Sequence, residues 1–141
     1  MKDTARFFKV LADEARLNML YLLFNNQELC VCDFMAVLEI TQSKASRHLA
    51  ALRNAGLATD RKAGLWSYYS LRPADDALAA AHLKLLRENL SKRADSKRLL
   101  KKLDAWLKTK KIGNACMQNS NSTARHPRSN SAQTHVPGGT R

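Results

Sequence analysis

No run of about 18 apolar residues occurs in the 141-residue chain, so nothing in it reads as a membrane span. The opening, Met1-Lys2-Asp3-Thr4-Ala5-Arg6, lacks the apolar stretch of a secretory leader, and a cytoplasmic location is expected. Cysteine is scarce, at 3 residues. In a reducing compartment these are thiols, suited to metal or redox chemistry rather than to stapling a fold. The sequence shows no cofactor motif, no thioredoxin-like strand–helix–strand pattern and no acid–base pair beside the thiols. That argues against a thiol oxidoreductase or metal carrier; no enzyme and no organic cofactor are expected. Internal repeats are absent. Acidic residues are few, 12 against 24 basic ones, leaving a formal charge of +12. Such an excess favours a polyanionic partner.

With 45% hydrophobic residues the chain can build a core without disulfides or a structural metal. Its length fits one small domain plus a tail. The charge is uneven: residues 1–83 are net +1, residues 84–111 net +8 and residues 112–141 net +3. The surplus therefore lies C-terminal to the segment that looks most like a DNA reader. It is either a solvated helix face or an auxiliary phosphate contact. A sequence-neutral architectural protein would show the latter as a steep salt dependence with little sequence preference.

Helical spacing predicts a short helix over 4–11 and a second one capped by Asp13, with Leu17, Leu20, Leu23 and Phe24 on its apolar side. Asn25-Asn26-Gln27 should end it. A third helix is expected over Cys32–Leu38, and a fourth over Gln42–Asn54, capped by Thr41 and followed by Gly56 at the position that favours glycine. The period then changes. Leu57–Arg61 and Trp66–Leu71 read as strands joined by Lys62-Ala63-Gly64-Leu65. Pro73 should open a fifth helix running to about Lys111, with Leu78, His82, Leu85, Leu86 and Leu90 as one stripe that Leu99, Leu103, Trp106 and Leu107 continue with some drift. Beyond Ile112 little apolar material remains, and a disordered tail is expected. The order is ααααββα: mainly α with a small β-hairpin (α+β), a winged helix-turn-helix whose wing is the hairpin. The expected boundaries are 1–90 for DNA binding and dimerisation, 91–111 for a basic helical extension and 112–141 for the tail.

In the fourth helix Ala45, Leu49 and Leu52 share the core-facing side. Gln42, Ser43, Lys44, Ser46, Arg47 and His48 occupy the other faces. These types suit a major groove, with Gln and Ser for base edges and Lys and Arg for phosphates or guanine. A solvated polar face would look similar in isolation. The preceding helix and following hairpin favour double-stranded DNA as the partner. Arg61 and Lys62 in the wing are candidates for phosphate or minor-groove contacts.

Glu28-Leu29-Cys30-Val31-Cys32-Asp33 is the most informative stretch. Two thiolates one residue apart select thiophilic ions. On a helix, residues i and i+2 point about 200° apart. Chelation of one ion by Cys30 and Cys32 therefore requires non-helical or unwound backbone, and would reshape the first turn of the helix-turn-helix unit. The alternative is that both are small buried hydrophobes.

The run Val10-Leu11-Ala12-Asp13-Glu14-Ala15-Arg16-Leu17 resembles the opening of the ArsR family, the arsenic-responsive winged-helix repressors of bacteria. Glu28–Asp33 resembles their inducer box. Ser46-Arg47-His48-Leu49 with Leu52–Leu57 is similar to their recognition helix, and Asp60-Arg61-Lys62 with Trp66–Tyr69 to their wing. The likeness covers about residues 5–90. It implies a homodimer, joined through its first and fifth helices, that binds the operator DNA of a resistance operon. It also implies release when As(III) or Sb(III) binds Cys30 and Cys32. Cadmium, lead or thiol redox state are the alternative signals. Some members carry a third cysteine three residues after the second; here Met35 stands there, and Cys116 is either a third ligand or a bystander. The family's zinc site is not matched: Asp76 and His82 have the wrong spacing.

Overall fold

The computed structural model describes residues 1–113. Four helices come first: α1 (Lys2–Leu11), α2 (Glu14–Asn25), α3 (Val31–Leu38) and α4 (Gln42–Asn54). The two-residue strand β1 (Leu29–Cys30) sits between α2 and α3. The hairpin β2 (Ala58–Ala63) and β3 (Trp66–Leu71) follows, then α5 (Ala77–Leu90) and α6 (Ala94–Gly113). The tail expected from residue 112 lies, past residue 113, outside the described residues.

The helix ends follow local chemistry. Asp13 caps α2 by accepting the Arg16 N–H at 3.1 Å, and Thr41 caps α4 by accepting that of Lys44 at 3.3 Å. The side chains of Asn25 and Asn26 turn back onto the carbonyls of Tyr21 and Leu22, ending α2 as the sequence predicts. Gly56 follows the Ala55 C-cap of α4 with φ +77°, a conformation glycine adopts without steric cost. The Glu39-Ile40-Thr41 turn links α3 to α4, with Glu39 itself left-handed at φ 54°.

The sheet order is β1-β3-β2, all antiparallel. Ala63 pairs with Trp66, so the wing tip is Gly64-Leu65, and Gly64 takes φ +61° at the first position, as a tight hairpin requires. The strand at Leu29–Cys30 is a correction to the predicted two-stranded wing. A two-residue segment has no periodicity to read, and only its partners Tyr69 and Tyr68 define it.

Two further corrections concern the last helices. Pro73 does not open α5. Asp76 does, with extended backbone and a carboxylate that accepts the N–H groups of Leu78 and Ala79, each at 3.4 Å. The predicted single helix to Lys111 is broken at Ser91–Arg93. There Lys92 and Arg93 donate to the carbonyls three residues back, and the Ser91 hydroxyl donates to the Glu88 carbonyl at 2.8 Å. Local polar competition ends α5 and lets α6 fold back onto α2 and α3.

The core is built from Met19, Leu20 and Leu22 of α2, Phe34 of α3, Leu49 and Leu52 of α4, and Leu103 of α6, all wholly buried. Ala45, Leu49 and Leu52 take the face assigned to them from the sequence. By contrast Phe8, Leu78 and Leu85 remain 44%, 42% and 57% exposed. His82 packs edge-on against Phe7 and Phe8, with ring centroids 6.2 and 5.0 Å away.

Candidate thiol centre and nucleic-acid interface

Cys30 ends β1 and is the N-cap of α3, with extended backbone at φ −77° and ψ 155°. Its sulfur accepts the backbone N–H of Asp33, and its own N–H donates to Asp33 Oδ2 at 2.7 Å. This is a capping box with cysteine in the place of serine or threonine. Cys32 is the second helical residue, half-buried, with Sγ 4.0 Å from Asp33 Oδ1. Because Cys30 stands outside the helix, the opposition of i and i+2 side chains does not hold. Both cysteines line one cleft of about 460 Å³. Burial pushes the Cys30 thiol above its ordinary value, against the nearby backbone N–H groups and the Lys110 ammonium.

Asp33 is the centre of this region and is 2% exposed. Besides capping α3, its Oδ1 accepts Trp106 Nε1 at 2.9 Å and Lys110 Nζ at 3.0 Å. A buried carboxylate requires such donors, and these two both come from α6. At the other end of α3, Lys102 Nζ lies 3.0 Å from Glu39 Oε2. The helix α6 thus runs antiparallel along the whole of α3.

The same cleft reaches the candidate nucleic-acid face. Gln42 and Ser46 of α4, Met35 of α3, Leu65–Ser67 of the wing and Trp106 of α6 complete its walls. Gln42, Ser43, Lys44, Ser46 and Arg47 are all exposed. His48 is set apart: it is half-buried, flanks the core face of α4, and turns Nδ1 to within 3.9 Å of Asp13 Oδ1. Lys62 is exposed on the wing. Arg61 is exposed too, but its guanidinium forks onto Glu28, with Nε 3.0 Å from Oε2, and lies 4.8 Å over the Tyr68 ring. That pairing holds the Glu28 carboxyl below its usual range.

The model of the family described as "Bacterial regulatory protein, arsR family" matches residues 13–60. The "Arsenical resistance operon repressor" of Escherichia coli K12 is 52% identical over 75 residues, which are 53% of this chain and 64% of that protein. The "Arsenic resistance transcriptional regulator ArsR2" of Pseudomonas putida KT2440 is 41% identical over 98 residues, which are 69% of this chain and 85% of that protein. The chain belongs to the ArsR family.

Other relatives of this ArsR-family chain bear a different label. The "Cadmium resistance transcriptional regulatory protein CadC homolog" of Staphylococcus aureus is 45% identical over 69 residues, 49% of this chain and 57% of that protein. The homodimeric winged helix-turn-helix domain of Mb0332 from Mycobacterium bovis superposes with a TM-score of 0.53 at 27% identity, covering 66% of this chain and 82% of that one. The fold is a winged helix-turn-helix, and these relatives are transcriptional regulators rather than enzymes.

Three residues of the candidate thiol centre were missed in the sequence: Asp33, Trp106 and Lys110. Asp33 carried a signal, since it stands three residues after Cys30, the spacing of a capping box. Trp106 and Lys110 are four apart on one helix face, but nothing local says which surface that face meets. Cys116 lies outside the described residues. Asp76 is a helix cap and His82 an aromatic packing partner. Among the described residues no group of three or more His, Cys, Asp and Glu side chains is placed to hold a metal.

Proposed function

We propose that this protein is a homodimeric repressor that binds operator DNA of an arsenic-resistance operon and releases it when As(III), or Sb(III), binds Cys30 and Cys32. One observation carries the reading: a single cleft is lined by both cysteines and by Gln42 and Ser46 of the recognition helix. With both cysteines reduced, arsenous acid condenses with two thiols. Two As–S bonds replace two As–O bonds, the thiol protons leave with the displaced hydroxyls as two waters, and arsenic stays trivalent. The third position is left to a hydroxyl, a small thiol or Cys116. Capture takes the Cys30 sulfur from the Asp33 N–H, so the first turn of α3 loses its cap as the ion binds. Helix α3 packs directly on α4, so the change reaches Gln42–Arg47. The exposed Phe8, Leu78 and Leu85 supply the apolar face through which α1 and α5 would pair two copies. Two readers then meet two half-sites about one DNA turn apart. In this reading residues 1–90 bind DNA and dimerise, in the cytoplasm.

The test is operator binding followed by fluorescence anisotropy, with and without arsenite. Wild type is expected to release. Cys30→Ser and Cys32→Ser should each need about a hundredfold more arsenite, because a chelate becomes a single bond. A double variant that grips the operator and still releases with arsenite overturns the sensor reading. The cadmium-regulator relatives favour a second reading, a thiophilic divalent ion as signal, and cadmium in the same titration separates the two.

A second prediction concerns the wing. Arg61 is engaged by Glu28. Glu28→Gln removes one anion from the nucleic-acid face and frees one guanidinium, so operator affinity at low salt should rise about three- to fivefold, with a steeper salt dependence. Unchanged affinity and slope would show that Arg61 stays clear of DNA.

A further inference from the structure

We propose that α6 is a strap that positions and shields the cysteine box, with Trp106 and Lys110 as its clasp on Asp33. The cap of α3 needs no partner seventy residues away, yet here its carboxylate is held by one. Asp33 must point inward to accept the Cys30 N–H, and it stays there because Trp106 Nε1 and Lys110 Nζ, from 73 and 77 residues away, satisfy its other oxygen. The Lys102–Glu39 pair fixes the far end of the strap at the turn between α3 and α4. Leu103 is wholly buried between these two attachments. The Trp106 ring also forms part of the cleft wall that faces Cys30 and Cys32.

Linkage follows from this arrangement. Whatever loosens α6 from Asp33 uncaps α3 at Cys30, opens the cleft and changes how the two sulfurs meet a ligand. Reciprocally, a ligand that takes the Cys30 sulfur weakens the box that α6 grips. Trp106 and Lys110 are positioning residues: they act on the thiols through Asp33.

The decisive measurement needs no metalloid. The full chain, kept reduced with a phosphine, is treated with iodoacetamide, and the modification rate at Cys30 is followed by peptide mass. Lys110→Met and Trp106→Phe are expected to speed alkylation of Cys30 about tenfold, while Lys110→Arg restores most of the protection. Val10→Ala on α1 serves as a control for a general loss of stability and should leave the rate near wild type. Rates within twofold of wild type for both clasp variants overturn the proposal, as does equal acceleration by Val10→Ala. A second arm rests on the arsenite reading above. In a Trp66→Phe background Trp106 is the remaining tryptophan, and arsenite should change its emission saturably, at about tenfold higher concentration in Lys110→Met. Faster alkylation without any arsenite response upholds the strap and removes the arsenic sensor; an arsenite response with unchanged alkylation does the reverse.

Discussion

Asp33→Ala is expected to lower the stability of the folded chain by about 3 kcal/mol, a large loss for one polar side chain. The substitution acts in three places at once. The N–H of Cys30 loses its acceptor at the start of α3, which by itself costs about 1 kcal/mol for a lost cap. Trp106 Nε1 loses its partner in a half-buried site and remains largely cut off from water. Lys110, about one quarter exposed, loses its counter-ion but can swing toward solvent, which limits its share. Asp33→Asn separates these contributions. An amide oxygen can still serve one N–H donor but carries no charge for Lys110, so the loss should fall to about half. Urea unfolding followed by circular dichroism checks both values. A loss under about 1 kcal/mol for the alanine variant would mean that the carboxylate is solvated rather than held by α6.

The candidate site was partly legible because its chemistry is local. Cys30 and Cys32 announce themselves by type and spacing, and Thr41, Asp13 and Gly56 mark helix ends with side chains or backbone freedom that act within a few residues. The face of α4 was legible for the same reason, since Ala45, Leu49 and Leu52 repeat at helical spacing. What failed to show was long-range. The strand at Leu29–Cys30 exists through its pairing with Tyr68 and Tyr69, about forty residues on. The break at Ser91–Arg93 has no proline or glycine to mark it and is made by ordinary polar residues. Once the helix is broken, Leu103 and Trp106, expected on a drifting continuation of the apolar stripe of one long helix, turn instead into the core and the cleft. His48 and Arg61 illustrate a related limit. Composition assigns both to a nucleic-acid face, whereas their engagement with Asp13 and Glu28 depends on tertiary neighbours that no window of sequence contains.

The break has an energetic consequence at Leu103. Leu103→Ala is expected to cost about 3 kcal/mol, within the range for a fully buried leucine whose surroundings relax only in part. Leu103 is 0% exposed, although it lies in the most basic stretch of the chain and is flanked by Lys101, Lys102 and Asp104. A leucine on a solvated extension would cost almost nothing when shortened, since no cavity forms. The neighbouring Leu99 and Leu107 are half-buried, and their alanine variants should lose about 1 kcal/mol each. The contrast among three leucines of one helix is the measurement, because helix propensity changes equally at all three and only burial differs. Urea denaturation should show a lower midpoint for Leu103→Ala with an unchanged slope. If all three variants lose the same small amount, α6 does not pack on α2 and α3 in solution, and the clasp on Asp33 has no helix to hold it.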